Sequence, residues 1–165
     1  MSALLLAATL AAAPPELQRL ATADELGAAL ESGRPLLVHV WALWCALCVE
    51  ELPRQLALAK AALARGASVL FVSADGFEKE AEVRERLATL GSPEGVRHAL
   101  LSEDLDPAEV TRRIDRRWQG TLPATFLLKP GGGVAVKVLG PIDEAETRRV
   151  LGWLARPPAK APAKR

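Results

Sequence analysis

The feature that most constrains this chain is a handover between two kinds of hydrophobic pattern, with two cysteines at the joint. Pro35-Leu-Leu-Val-His-Val-Trp41 is a nearly continuous apolar run of β-preferring residues, the pattern of a central strand covered on both faces. From Cys45 to about Arg65 leucine and alanine dominate, with Leu52, Leu56, Ala59 and Leu63 at helical spacing and Pro53 as the expected kink. Cys45 and Cys48 are the only two cysteines, and they stand where the strand gives way to the helix.

The rest of the chain repeats the alternation. Leu17–Leu20 reads as a short strand, and Thr22-Ala-Asp-Glu25 has the spacing of a capping box that opens a helix through about Glu31, ended by Gly33. Ser68–Ser73 reads as the next buried strand, and Phe77–Leu90 as an amphipathic helix stopped by Gly91. The β-α-β order implies parallel strands. Gly91–Leu105 carries no clear period. Asp106-Pro107-Ala-Glu109 opens a helix expected to reach about Trp118. Ala124–Lys129 and Val134–Leu139, separated by Pro130 and three glycines, read as an antiparallel hairpin, after which Asp143-Glu-Ala-Glu146 caps a last helix through about Ala155. The fold class is therefore α/β.

At 165 residues the chain fits one domain, expected over 16–156. Residues 157–165 read as a disordered basic tail, and residues 1–15 as a signal peptide or an N-terminal arm. The apolar run from Ala3 to Ala13 is too short to cross a bilayer, which takes about 20 residues. Export to the periplasm or cell envelope is the favoured location, with the cytoplasm as the alternative. The formal charge is only +1, so nucleic acid is not expected as a partner.

A thiol at a helix N-terminus meets free backbone N–H groups and the positive end of the helix dipole, and both stabilise its thiolate. Cys45 is accordingly the expected nucleophile. Cys48, one turn further in, is placed to attack a mixed disulfide and release the substrate. A purely structural disulfide would close too small a loop to remove much chain entropy. A zinc site would need two more ligands, and His39 and His98 supply no matching pair, so no metal is expected.

Val38-His-Val-Trp-Ala-Leu-Trp-Cys-Ala-Leu-Cys-Val-Glu-Glu-Leu-Pro53 and Thr121-Leu-Pro-Ala-Thr-Phe-Leu-Leu128, with the glycine-rich hairpin and final helix, resemble the thioredoxin superfamily, and within it the TlpA/ResA-like thiol–disulfide oxidoreductases. The resemblance implies the thioredoxin fold, a central mixed sheet with helices on both faces. It implies a cis Leu122–Pro123 bond facing the cysteines, with the Leu122 backbone pairing with an extended substrate. It matches Glu51 to an acidic residue that helps proton handling, the alternative being a solvated helix carboxylate. It puts His39 where thioredoxins often carry a buried aspartate, either to relay the proton of Cys48 or as a core histidine with a satisfied hydrogen bond. Trp41 and Trp44 frame the site as apolar cover, Trp44 facing substrate, while Trp118 and Trp153 are expected to pack on helices. Ala46-Leu47 replaces the familiar proline-bearing pair, which leaves the redox poise open.

The expected activity is disulfide exchange with disulfide-bearing or dithiol protein substrates, in the direction of reduction, with a separate redox partner resetting the pair. No organic cofactor is required, and a monomer is expected. The alternatives are a dithiol oxidase and a peptide- or copper-binding module, copper(I) favouring thiolates.

Overall fold

The computed structural model describes residues 15–156. The expected leader or arm, but for Pro15, and the expected basic tail lie outside the described residues.

Six strands form one sheet: β1 Leu17–Leu20, β2 Leu36–Trp41, β3 Ser68–Ser73, β4 Val96–Leu101, β5 Ala124–Leu128 and β6 Val134–Leu139. Their order is β1-β4-β3-β2-β5-β6. The pairs β1/β4, β4/β3 and β3/β2 are parallel, while β2/β5 and β5/β6 are antiparallel. The helices are α1 Ala23–Leu30, α2 Ala46–Leu63, α3 Glu80–Leu90, α4 Pro107–Ile114 and α5 Glu144–Leu154. Buried side chains of α1 and α4 cover one face of the sheet, and those of α2, α3 and α5 cover the other. This is the mixed, two-sided sheet expected from the sequence.

Local chemistry places the elements. The Thr22 hydroxyl accepts the Glu25 N–H while the Glu25 carboxylate accepts the Thr22 N–H, a complete capping box for α1. The Asp106 and Asp143 carboxylates cap α4 and α5 by accepting the Ala108 and Glu146 N–H groups. Gly131, Gly132 and Gly133 all have positive φ, which lets the β5–β6 turn close with Lys129 N–H on the Gly133 carbonyl. β2 is buried at all six positions, as its unbroken apolar run requires.

Three expectations are corrected. The expected helix Phe77–Leu90 splits into a 3-10 turn at Phe77–Lys79 and α3. α4 ends at Ile114 instead of Trp118, because Asp115 turns to extended backbone and its carboxylate takes the Lys137 ammonium and the Arg117 N–H. Trp118 therefore packs from beyond the helix, edge-on to Phe126 at 5.3 Å between centroids, with its indole N–H on the Thr121 carbonyl. The segment without a clear period, Gly91–Leu105, contains β4, whose Arg97 and His98 break the apolar run that would have announced it.

Candidate active site

Cys45 is the N-cap residue of α2, and its sulfur accepts the Cys48 N–H at 3.2 Å. The two sulfurs are bonded to each other, with the Cα atoms 5.2 Å apart. The pair is asymmetric: Cys45 is partly exposed and Cys48 fully buried in the core beside Trp41 and Leu52. Trp44 and Leu47, 70% and 53% exposed, stand on either side of Cys45 together with exposed Ala46. Two large apolar side chains are thus open to water beside the reactive sulfur.

The Leu122–Pro123 bond is cis. Ala124 pairs with Val40 in the antiparallel β2/β5 ladder, so Pro123 lies level with the end of β2, where the chain turns toward Cys45. Leu122 is half-buried and Pro123 buried. Gly140 N–H bonds to the Pro123 carbonyl at 2.8 Å, which ties the segment after β6 to the same corner.

Beneath the cysteines lies a buried polar ring. The period of two puts His39 on the same face of β2 as Leu37 and Trp41, under α2. His39 Nδ1 is 3.1 Å from Thr125 Oγ1, its register partner on β5. Gln55 Nε2 donates to both Thr125 Oγ1 and Glu51 Oε1, each at 3.1 Å. Glu51 Oε2 accepts the Ile142 N–H at 2.7 Å, and Glu51 Oε1 faces His39 Nε2 at 3.8 Å, closing the ring. His39 Nε2 and Gln55 Oε1 have no hydrogen-bond partner among the described residues.

Burial sets the electrostatics. It drives the His39 pKa down to about 3, so the imidazole is neutral. It also raises the Glu51 carboxyl above its usual range, against the opposing pull of the Ile142 and Gln55 hydrogen bonds. Glu51 is thus a buried carboxyl, and the solvated-carboxylate alternative is set aside. Both readings of His39 keep a foothold, since its Nδ1 is satisfied and its Nε2 is not.

α2 runs through Pro53 without a break. Gln55, Thr125 and Ile142 were not anticipated. Gln55 lies one turn after Glu51 on the same helix face, a signal hidden within the Leu/Ala pattern. A cavity of about 840 Å³ beside Gly91–His98 opens near the N-terminal end of β4, away from the cysteines, which follow the C-terminal end of the parallel β2. Among the described residues no cluster of His, Cys, Asp and Glu is arranged to hold a metal ion, and no helix is long and apolar enough to cross a membrane.

A mixed sheet of this order, a cysteine pair at the start of α2 and a cis-proline beside the end of β2 define the thioredoxin fold. Solved structures share it. A thiol:disulfide interchange protein of the thioredoxin family from Chlorobium tepidum TLS aligns with a TM-score of 0.57 at 23% identity, over 78% of this chain and 83% of that one. The N-terminal domain of PilB from N. meningitidis, in its reduced form, gives 0.53 at 24%, over 86% and 94%. The exposed lipoprotein thioredoxin Etrx1 from Streptococcus pneumoniae gives 0.52 at 20%, over 73% and 85%. No protein-family model and no curated protein matches the sequence.

Proposed function

We propose that this chain is a thiol–disulfide oxidoreductase that reduces disulfides in protein substrates of the cell envelope. The observation that carries the proposal is the asymmetric pair: a solvent-reachable Cys45 at the mouth of α2, bonded to a Cys48 that solvent cannot reach. In the reduced protein the Cys45 thiolate attacks one sulfur of a client disulfide, forming a mixed disulfide and expelling the other client sulfur as a thiolate. Cys48 then attacks Cys45 Sγ, releases the client's second thiolate and leaves the Cys45–Cys48 disulfide. Two electrons pass to the client, and a dithiol partner returns them to the pair.

Cys48 must lose a proton in that second step, and the polar ring offers a place for it. Thr125 Oγ1 accepts from Gln55, so its own O–H can donate to His39 Nδ1, which leaves the imidazole proton on Nε2, toward Glu51 Oε1. The other tautomer sets an imidazole lone pair against that oxygen unless the carboxyl carries the proton. With the imidazole proton on Nε2, the Glu51 carboxylate is unprotonated and, its proton affinity raised by burial, is the group that takes up the proton Cys48 loses. Trp44, Ala46 and Leu47 form the rim on which a client lies, and Leu122 pairs with the client's backbone beside Pro123. The similarity to an exposed lipoprotein thioredoxin supports an envelope location.

Cys48→Ser should accumulate a mixed disulfide through Cys45 when the reduced protein meets envelope proteins carrying disulfides, and mass spectrometry identifies the client. Cys45→Ser should trap nothing comparable. Equal trapping by both variants would reverse or abolish the assigned roles.

A further inference from the structure

We propose that Asp75 is a positioning residue for this exchange: it fixes the turn that presents Trp44 and Cys45, and its buried negative charge holds the cysteine pair on the reducing side. The inference rests on the redox function proposed above and adds a direction to it.

The turn between β2 and α2 is short and must be held, because any shift in it moves Cys45. Its two ends are secured by backbone bonds, Ala74 N–H to the Trp41 carbonyl at 2.9 Å and Cys45 N–H to the Ala42 carbonyl at 3.2 Å. Between them, the Leu43 N–H is taken by Asp75, whose two carboxylate oxygens both lie 2.9 Å away. Ser73 Oγ donates to Asp75 Oδ2 at 2.6 Å and keeps the carboxylate aimed at the turn. Both side chains are buried. Gly76, at φ +83°, turns the chain back directly after Asp75, and Phe77 N–H is anchored to the Glu103 carboxylate, so the loop that presents Asp75 is itself tied down.

The partners of this carboxylate are one N–H and one hydroxyl. Among the described residues no lysine, arginine or histidine forms an ion pair with it; the exposed Lys79 ammonium feels its charge but is bound to Glu82. An amide oxygen would hold Leu43 N–H nearly as well, so hydrogen bonding alone gives no reason for a buried acid without a paired cation. The charge does something the hydrogen bond does not. The first turn of α2 carries no acidic side chain, so nothing in that turn opposes the stabilisation of the Cys45 thiolate by the helix dipole. A buried carboxylate fixed two residues ahead of Cys45 opposes that thiolate. Weaker thiolate stabilisation makes the dithiol less stable relative to the disulfide, and the pair becomes the stronger electron donor.

The test is the equilibrium of the intact protein with reduced and oxidised glutathione. Asp75→Asn keeps an acceptor for Leu43 N–H and removes the charge. It should shift the equilibrium about ten-fold toward the dithiol, about 30 mV for this two-electron couple, and lower the pH at which the Cys45 thiolate appears. Ser73→Ala keeps the charge and should stay within about two-fold of the unmodified protein. An unchanged equilibrium and an unchanged Cys45 titration in Asp75→Asn would overturn the proposal, leaving Asp75 a structural tether. A ten-fold shift in Ser73→Ala as well would overturn its charge component, since hydrogen bonding alone would then set the poise. If the unmodified pair does not exchange with glutathione at all, the oxidoreductase function itself fails, a result distinct from either of these.

Discussion

The two faces of the sheet obey different rules. On the side covered by α1 and α4, Leu36, Val38, Val40, Leu70, Val72, Ala99, Phe126 and Leu128 form an apolar surface without a buried polar side chain. On the side of α2, α3 and α5 the same strands bury His39, Ser73, His98 and Thr125, and α2 adds Glu51 and Gln55. Side chains alternate along each strand, so this segregation is written residue by residue into β2, β3, β4 and β5. One face exists to be stable. The other accepts the cost of buried polarity, and it is the face into which Cys48 points.

The comparison is tested most severely on the apolar face. Phe126 is fully buried and meets Trp118 edge-on, so Phe126→Ala should lower the unfolding free energy by about 3–5 kcal/mol. The glutathione equilibrium of the variant should not move. A redox shift comparable to that expected of Asp75→Asn would show that the faces are not separable.

The second test is the pH dependence of stability, which the cysteine face should dominate. Burial holds His39 at about 3 and His98 at about 4, whereas both titrate near 6.5 once unfolded. Between 6.5 and 4 the unfolded chain binds two protons that the native imidazoles refuse. Stability is therefore complete above pH 6.5 and is lost as pH falls, by about 1.4 kcal/mol per pH unit for each histidine. Glu51 acts with the opposite sign: its raised pKa keeps a proton on the native carboxyl just above 4.5 that the unfolded chain releases, so it offsets up to one of the two in that window. Urea titrations of the disulfide form between pH 7 and 5 should show this loss, and His98→Leu should reduce the slope by about one proton. An unchanged slope in His98→Leu would mean that this imidazole is not held neutral.

The sequence made the apolar half of this design legible and the polar half only in part. The runs Pro35–Trp41, Ser68–Ser73 and Ala124–Lys129 announced their strands because a strand covered on both faces needs nearly every residue apolar. β4 escaped because Arg97 and His98 interrupt such a run at its start, and α4 ended early because Asp115 serves Lys137 on β6, a partner 22 residues away. The same locality decides what was readable at the site. Cys45 and Cys48 are close in sequence, and a helix start can be inferred from its neighbours. The ring that joins Glu51 to His39, Thr125 and Ile142 is assembled by strand register and by the corner after β6, so composition around any one member says nothing of the others. Asp75 was silent for that reason too: its partner Leu43 lies 32 positions earlier.

The smallest effect on stability is expected at the rim, where the same comparison turns from interior against interior to interior against surface. Trp44 is 70% exposed, so Trp44→Ala should leave the unfolding free energy within about 0.5 kcal/mol. If the rim is where a client lies, the loss falls on client reactivity instead. Covering an indole by a substrate chain is worth about 1–2 kcal/mol at about 25 cal/mol per Å², which is about ten-fold in rate for a disulfide-bearing protein. Oxidised glutathione has no apolar side chain to lay on the indole, and its reaction should slow by less than two-fold. Stopped-flow oxidation of the reduced protein by each disulfide makes the measurement. A ten-fold loss with glutathione as well would mean that Trp44 acts on the sulfur and not on the client, and the division between a reactive centre and an apolar contact surface would have to be redrawn.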